Sequence, residues 1–142
     1  MRANSDAERA LTQQGRDDVK QVVQSLQAEL EGLDLIVTSP YLRARETTEI
    51  VQQNLVAKKQ ISISRKLEPS GGPKDLLEFI DTLNVDTILL VTHQPLVGNI
   101  LSLLSGDNTW LTTGTANLVG LEMAAPVPGF ASVFCSSIPL RS

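Results

Sequence analysis

The chain has 142 residues, enough for one domain with a core of its own. Hydrophobic residues make up 42% and charged residues 20%, and a net charge of −4 without any Lys/Arg run speaks against nucleic acid as a partner. No apolar run reaches membrane-spanning length, and a single cysteine (Cys135) and a single histidine (His93) argue against a disulfide framework, a zinc site or any other metal cofactor.

The first ten residues, MRANSDAERA, are polar and mixed in charge, unlike a signal peptide, so the cytoplasm is the expected compartment. Thr12 is placed to cap a helix. Asp17 and Asp18 suit the positive end of its dipole. Val19, Val22, Val23, Leu26 and Leu30 recur at helical intervals, and Gly32 ends the run. Gly15, in the first turn, costs helix stability and points to close packing there. Leu33–Thr38 reads as a strand stopped by Ser39 and Pro40. A second helix follows, with Ala44, Thr47, Ile50, Val51 and Leu55 on one face. Arg43 and Arg45 fall in its first turn, against the dipole's preference. A bound anion would reconcile charge and dipole at Arg43, whereas Arg45 reads as a solvated surface residue.

Ile61–Ser64 alternates as in a half-exposed strand, and Glu68–Pro73 is a Gly/Pro loop. Lys74–Leu83 reads as a helix with Leu76, Leu77, Phe79, Ile80 and Leu83 inward. Ile88–Val91 is an apolar β-favouring run, expected to be a central strand buried on both faces. Thr92 and His93 follow at its end. Pro95 suits the start of a helix that continues through Leu96, Val97, Ile100, Leu101 and Leu104. Ser105–Asn108 is a turn. Thr115–Met123 and Phe130–Ser136 alternate as two strands of an antiparallel hairpin at one edge of the sheet. Helices alternating with parallel strands predict a single three-layer α/β/α domain over residues 1–142, with a mostly parallel central sheet.

His93 has two readings at this point. It either caps a turn or serves a phosphate-like anion at the carboxyl end of a strand, where open α/β sheets bind ligands. Two strand ends carry polar groups suited to one oxyanion: Thr38-Ser39-Pro40 with Arg43, and Thr92-His93-Gln94. If these strands are neighbours, Arg43 and His93 converge. Arginine matches the planar, bidentate geometry of phosphate oxygens. A histidine beside it can donate to developing charge or protonate a leaving group.

Three motifs in order, ALTQQG (Ala10–Gly15), SPYLRARET (Ser39–Thr47) and VTHQPLVG (Val91–Gly98), resemble those of the histidine phosphatase superfamily. The match is nearest to its small SixA-type phosphohistidine phosphatases and covers essentially the whole chain from Asn4. The resemblance implies a metal-free site. Arg43 and His93 bind phosphate and stabilise the transition state, the backbone N–H of Gln94 faces the phosphate, and Thr12 and Gly15 close the start of the first helix. It also implies a covalent phosphohistidine on an Arg-His-Gly histidine at the end of a first strand.

That motif and strand are missing from the sequence, so the expectation is a truncated record, a strand supplied by another molecule, or a chain with little catalysis of its own. If Met1-Arg2 is the tail of the missing strand, Arg2 becomes a further phosphate-binding arginine. Glu68 lies near where larger relatives place an acidic proton donor. A phosphohistidine substrate hardly needs that donor, and the residue reads equally as a solvated loop carboxylate. The chain has no insertion long enough to form a lid, and an open site suits a phosphorylated protein side chain. The expected function is therefore removal of phosphate from a histidine-containing phosphotransfer protein. The alternatives are a small-molecule phosphomonoesterase on the same fold and a module that binds phosphate or a phosphoprotein without cleaving it. Oligomeric state is not legible.

Overall fold

Thr12 does start the first helix. The Gly15 N–H donates to Thr12 Oγ1 at 3.0 Å, satisfying one of the free amides of the first turn. The computed structural model describes residues 6–93, 96–106, 118–122 and 132–137. In chain order its elements are α1 (Gln13–Ser25), α2 (Gln27–Glu31), β1 (Leu35–Thr38), α3 (Leu42–Gln53), β2 (Gln60–Ile63), α4 (Pro73–Leu83), β3 (Ile88–Val91), α5 (Leu96–Ser105), β4 (Leu118–Glu122) and β5 (Ser132–Ser137). Short 3₁₀ turns span Asp6–Glu8 and Arg65–Leu67. The helix expected to run unbroken to Gly32 divides at Leu26, whose N–H is shared between the carbonyls of Val22 and Val23.

β1 lies between β2 and β3, parallel to both. All four of its residues are buried, and alternate side chains serve opposite faces. Ile36 joins Val19, Val22 and Val23 of α1 and Ala44, Ile50 and Val51 of α3. Leu35 and Val37 pack with Leu76 and Leu77 of α4, Leu96, Ile100 and Leu101 of α5, and Leu67. Helices therefore cover the sheet on both sides, as the alternation of elements predicts. Burying a full-sized aliphatic side chain contributes about 1.5–3 kcal/mol, so these two clusters are the main source of stability.

Register is pinned at the start of the strands. Asp34 Oδ2 accepts from the N–H groups of Asp86 and Thr87 and from the Thr87 hydroxyl. The Thr87 bonds, from backbone and then from side chain, hold this carboxyl below its usual range. A lowered carboxylate pKa contributes stability above the unfolded value, and that contribution is lost as acid protonates the group. With Leu35 level with Ile88, Thr38 falls level with Val91 at the other end. The Ser39 N–H then donates to the Val91 carbonyl at 3.0 Å, which sets Ser39 beside the chain leaving β3.

Three expectations need correction. Among the described residues β1, not β3, is the middle strand of the parallel sheet, and Ile88, Leu89 and Leu90 are only half-buried. An apolar run of four residues cannot distinguish a middle strand from an outer one. The predicted hairpin strands do pair antiparallel, but among the described residues β4 and β5 form a two-stranded sheet of their own rather than an edge of the first. β2 is more exposed than its alternation implies, with Ile61 and Ile63 at 41% and 58% exposure, because among the described residues it is an outer strand bonded on one side only.

Gly71 is held by a close approach. A Cβ there would stand 2.5 Å from the Lys66 carbonyl oxygen, 3.1 Å from that of Glu68 and 3.0 Å from Leu96 Cδ2. Two of those neighbours are backbone and cannot rotate away. Gly71→Ala is expected to lower stability by about 1–3 kcal/mol in urea unfolding, as overpacked sites do. An unchanged midpoint would show that the loop yields freely.

Candidate active site

The candidate site lies where β1 and β3 end. Ser39 leaves β1 fully buried, and His93 leaves β3 with 8% of its surface exposed. His93 Nε2 lies 2.8 Å from Ser39 Oγ, and the Tyr41 N–H donates to the same oxygen at 3.2 Å. The serine hydroxyl thus ties the imidazole to the turn that starts α3. On the other side, the Val97 N–H in the first turn of α5 donates to the His93 carbonyl at 2.8 Å. Backbone and ring of His93 are therefore both fixed.

Arg43 enters from the first turn of α3. Its Cζ lies 5.3 Å from the centroid of the Tyr41 ring, and the same ring meets the His93 imidazole at 4.9 Å, tilted by 45°. One aromatic side chain therefore touches both groups predicted to share an anion. Cations attract the face of an aromatic ring, so this contact also helps to place the guanidinium. Electrostatics give the same picture. Burial, then the positive charge of Arg43, hold His93 down to about 4 from its ordinary 6.5, with Asp6 pulling weakly the other way. Near neutral pH the imidazole is uncharged.

The charge of Arg43 is answered by a residue that sequence reading missed. Nη1 donates to the Asp6 carbonyl oxygen at 2.8 Å and to Asp6 Oδ1 at 3.2 Å, and Nη2 donates to Oδ2 at 3.2 Å. An internal carboxylate thus offsets the cation placed at the wrong end of the helix dipole. Glu46, one turn further along α3, makes a second attachment. Its Oε1 accepts from the Leu11 N–H at 2.8 Å and its Oε2 from Arg16 Nη2 at 2.7 Å. Residues 6–16 are thereby tied to α3 at two points. The only sequence signal was the i, i+3 spacing of Arg43 and Glu46, which puts them on one helix face.

Of the predicted site residues, Ser39, Arg43 and His93 come together. Arg45 stays at the surface, its Nε donating to the Pro40 carbonyl. Glu68 turns to Arg65, with Nε 3.4 Å from its Oε2, and no contact joins it to His93 among the described residues. The Thr92 hydroxyl donates to the Leu67 carbonyl at 2.6 Å, away from His93. Gln94 and Arg2 lie outside the described residues. Among those described there is no group of three His, Cys, Asp or Glu side chains able to hold a metal ion. No described helix is long and apolar enough to cross a membrane.

Comparison with known proteins points the same way. The model of the histidine phosphatase superfamily (branch 1) matches residues 1–68. The phosphohistidine phosphatase SixA homolog of Haemophilus influenzae is 34% identical over 129 residues, 84% of this chain and 79% of that protein. Phosphohistidine phosphatase SixA of Escherichia coli is 28% identical over 110 residues, 75% of this chain and 68% of that one. The structure of a protein histidine phosphatase SixA complexed with tungstate superposes with a TM-score of 0.85, covering 98% of this chain and 90% of that chain at 24% identity.

Proposed function

Since the chain belongs to the histidine phosphatase superfamily, as a SixA-type phosphohistidine phosphatase, we propose that it removes phosphate from a histidine-phosphorylated protein, a phosphotransfer domain. The observation that carries this reading is the convergence of Arg43 and His93 on one aromatic ring at adjacent strand ends. The guanidinium offers a planar fork to two phosphoryl oxygens. The neutral imidazole, held by Ser39, offers a donor to a third and becomes a stronger one when protonated. Each interaction grows as negative charge builds on the equatorial oxygens, so the pocket favours the transition state over the ground state. A protonated imidazole on the substrate is a good leaving group, which removes the need for an acid such as Glu68. The lone cysteine agrees with a cytoplasmic setting.

One observation favours a second reading for these 142 residues. The covalent route needs a nucleophilic histidine besides His93, and the sequence has one histidine. We therefore expect the 142-residue chain to bind inorganic phosphate or tungstate with little or no turnover. Titration calorimetry, run beside release of phosphate from a phosphorylated phosphotransfer domain and from sugar phosphates, separates the possibilities. Binding without release supports the phosphate-holding module. Release from the phosphoprotein but not from sugar phosphates supports the phosphatase. The reverse preference supports a small-molecule phosphomonoesterase, and neither binding nor release contradicts all three.

A further inference from the structure

We propose that Asp6 is a positioning residue for Arg43: it grips the Nη1 end of the guanidinium and leaves the adjoining Nε/Nη2 edge for the anion. The inference rests on the reading of the Arg43–His93 pocket given above. Its basis is an account of donors. A guanidinium has five N–H bonds. The carbonyl oxygen and Oδ1 of Asp6 take two from Nη1, and Oδ2 takes one from Nη2. That leaves Nε–H and the second Nη2 proton, which lie parallel on one edge of the group. Among the described residues nothing accepts from Nε. These two donors form a complete fork for a tetrahedral anion, so the carboxylate need not leave for phosphate to bind.

Asp6 is itself anchored for this task. Its carbonyl also accepts the Arg9 N–H at 3.2 Å, its Oδ1 meets Arg9 Nη1 at 3.3 Å, and the Glu46 contacts hold the following segment on α3. Long side chains spend much of their time in unproductive rotamers, and fixing one in advance removes that entropy from the binding step. A competing picture has the carboxylate seated in the place of phosphate, as a plug. The two pictures predict opposite signs.

The experiment is a titration of inorganic phosphate into the unsubstituted 142-residue chain, Asp6→Ala, Asp6→Asn, Arg43→Ala and the Asp6→Ala/Arg43→Ala double variant. The ¹⁵N resonance of Arg43 Nε is followed in each chain that retains the arginine. The Asp6 side chain is half exposed, and surface ion pairs contribute little to stability, so Asp6→Ala is expected to fold, with Asp6→Asn as the milder backup. Positioning predicts affinity about tenfold weaker in Asp6→Ala, smaller loss in Asp6→Asn, and no further loss from Asp6→Ala once Arg43 is gone, since the coupling runs through that side chain. It also predicts that the Nε resonance sharpens less on binding in Asp6→Ala. Equal affinity in Asp6→Ala would overturn the proposal, and tighter binding would establish the plug. Equal losses with and without Arg43 would show a merely structural role. Absence of phosphate binding in the unsubstituted chain would defeat the pocket reading itself and this proposal with it.

Discussion

Arg43→Ala is expected to lower affinity for inorganic phosphate by about 100-fold, because each hydrogen bond to a charged group contributes about 1.5–3 kcal/mol and the change deletes the whole fork. Arg43→Lys is expected to recover little of this. An ammonium is a point charge that cannot meet two oxygens in one plane, and it would not reproduce the three bonds to Asp6. The fold should survive both changes, since Arg43 contributes to the surface of α3 and not to either apolar cluster. Calorimetric titration with a thermal melt of each variant checks the claim. Phosphate affinity within twofold of the original in Arg43→Ala would remove Arg43 from the site.

His93 gives the second large effect, and it depends on pH. The imidazole titrates at about 4 in the folded chain and near 6.5 when unfolded. Between these values the unfolded chain binds more protons, so stability rises with pH across that window. The contribution is complete above 6.5 and is lost as the pH falls towards 4. Bound phosphate reverses the pressure on the ring, because a neighbouring anion favours the imidazolium. Binding at pH 5.5 should therefore take up a proton at His93, seen as a binding heat that varies with the ionisation enthalpy of the buffer. His93→Ala should abolish the part of this dependence that exceeds phosphate's own, and weaken affinity by about tenfold or more, the value of one charge-assisted hydrogen bond. A proton uptake identical in the two proteins would place the imidazole away from the anion.

Arg43 and His93 were legible in the sequence because each stands just past a strand that apolar, β-favouring residues mark out, and because one is a cation at the wrong end of a helix. Both are local signals. The segments of α1, α3, α4 and α5 were legible from helical periodicity, and Thr12 from capping chemistry. Asp6 was not legible. Its partner is 37 positions away, and an exposed aspartate in a polar stretch looks the same whether or not it grips an arginine. Tyr41 was hidden for a similar reason: its role depends on lying between two groups that only the parallel pairing of β1 and β3 brings together. The rank of β3 within the sheet escaped because composition reports burial preference and not which neighbours a strand has. Ser39 was marked as a possible anion contact, yet its hydroxyl sits beneath the imidazole, so we propose that it acts through His93.

The most direct test is a single titration of inorganic phosphate followed by NMR, observing the Arg43 Nε–H and the His93 ring resonances together in the 142-residue chain. A shared pocket predicts that both move and that both curves fit one dissociation constant. Movement of one without the other, or two unrelated constants, would mean that the guanidinium and the imidazole do not hold the same anion.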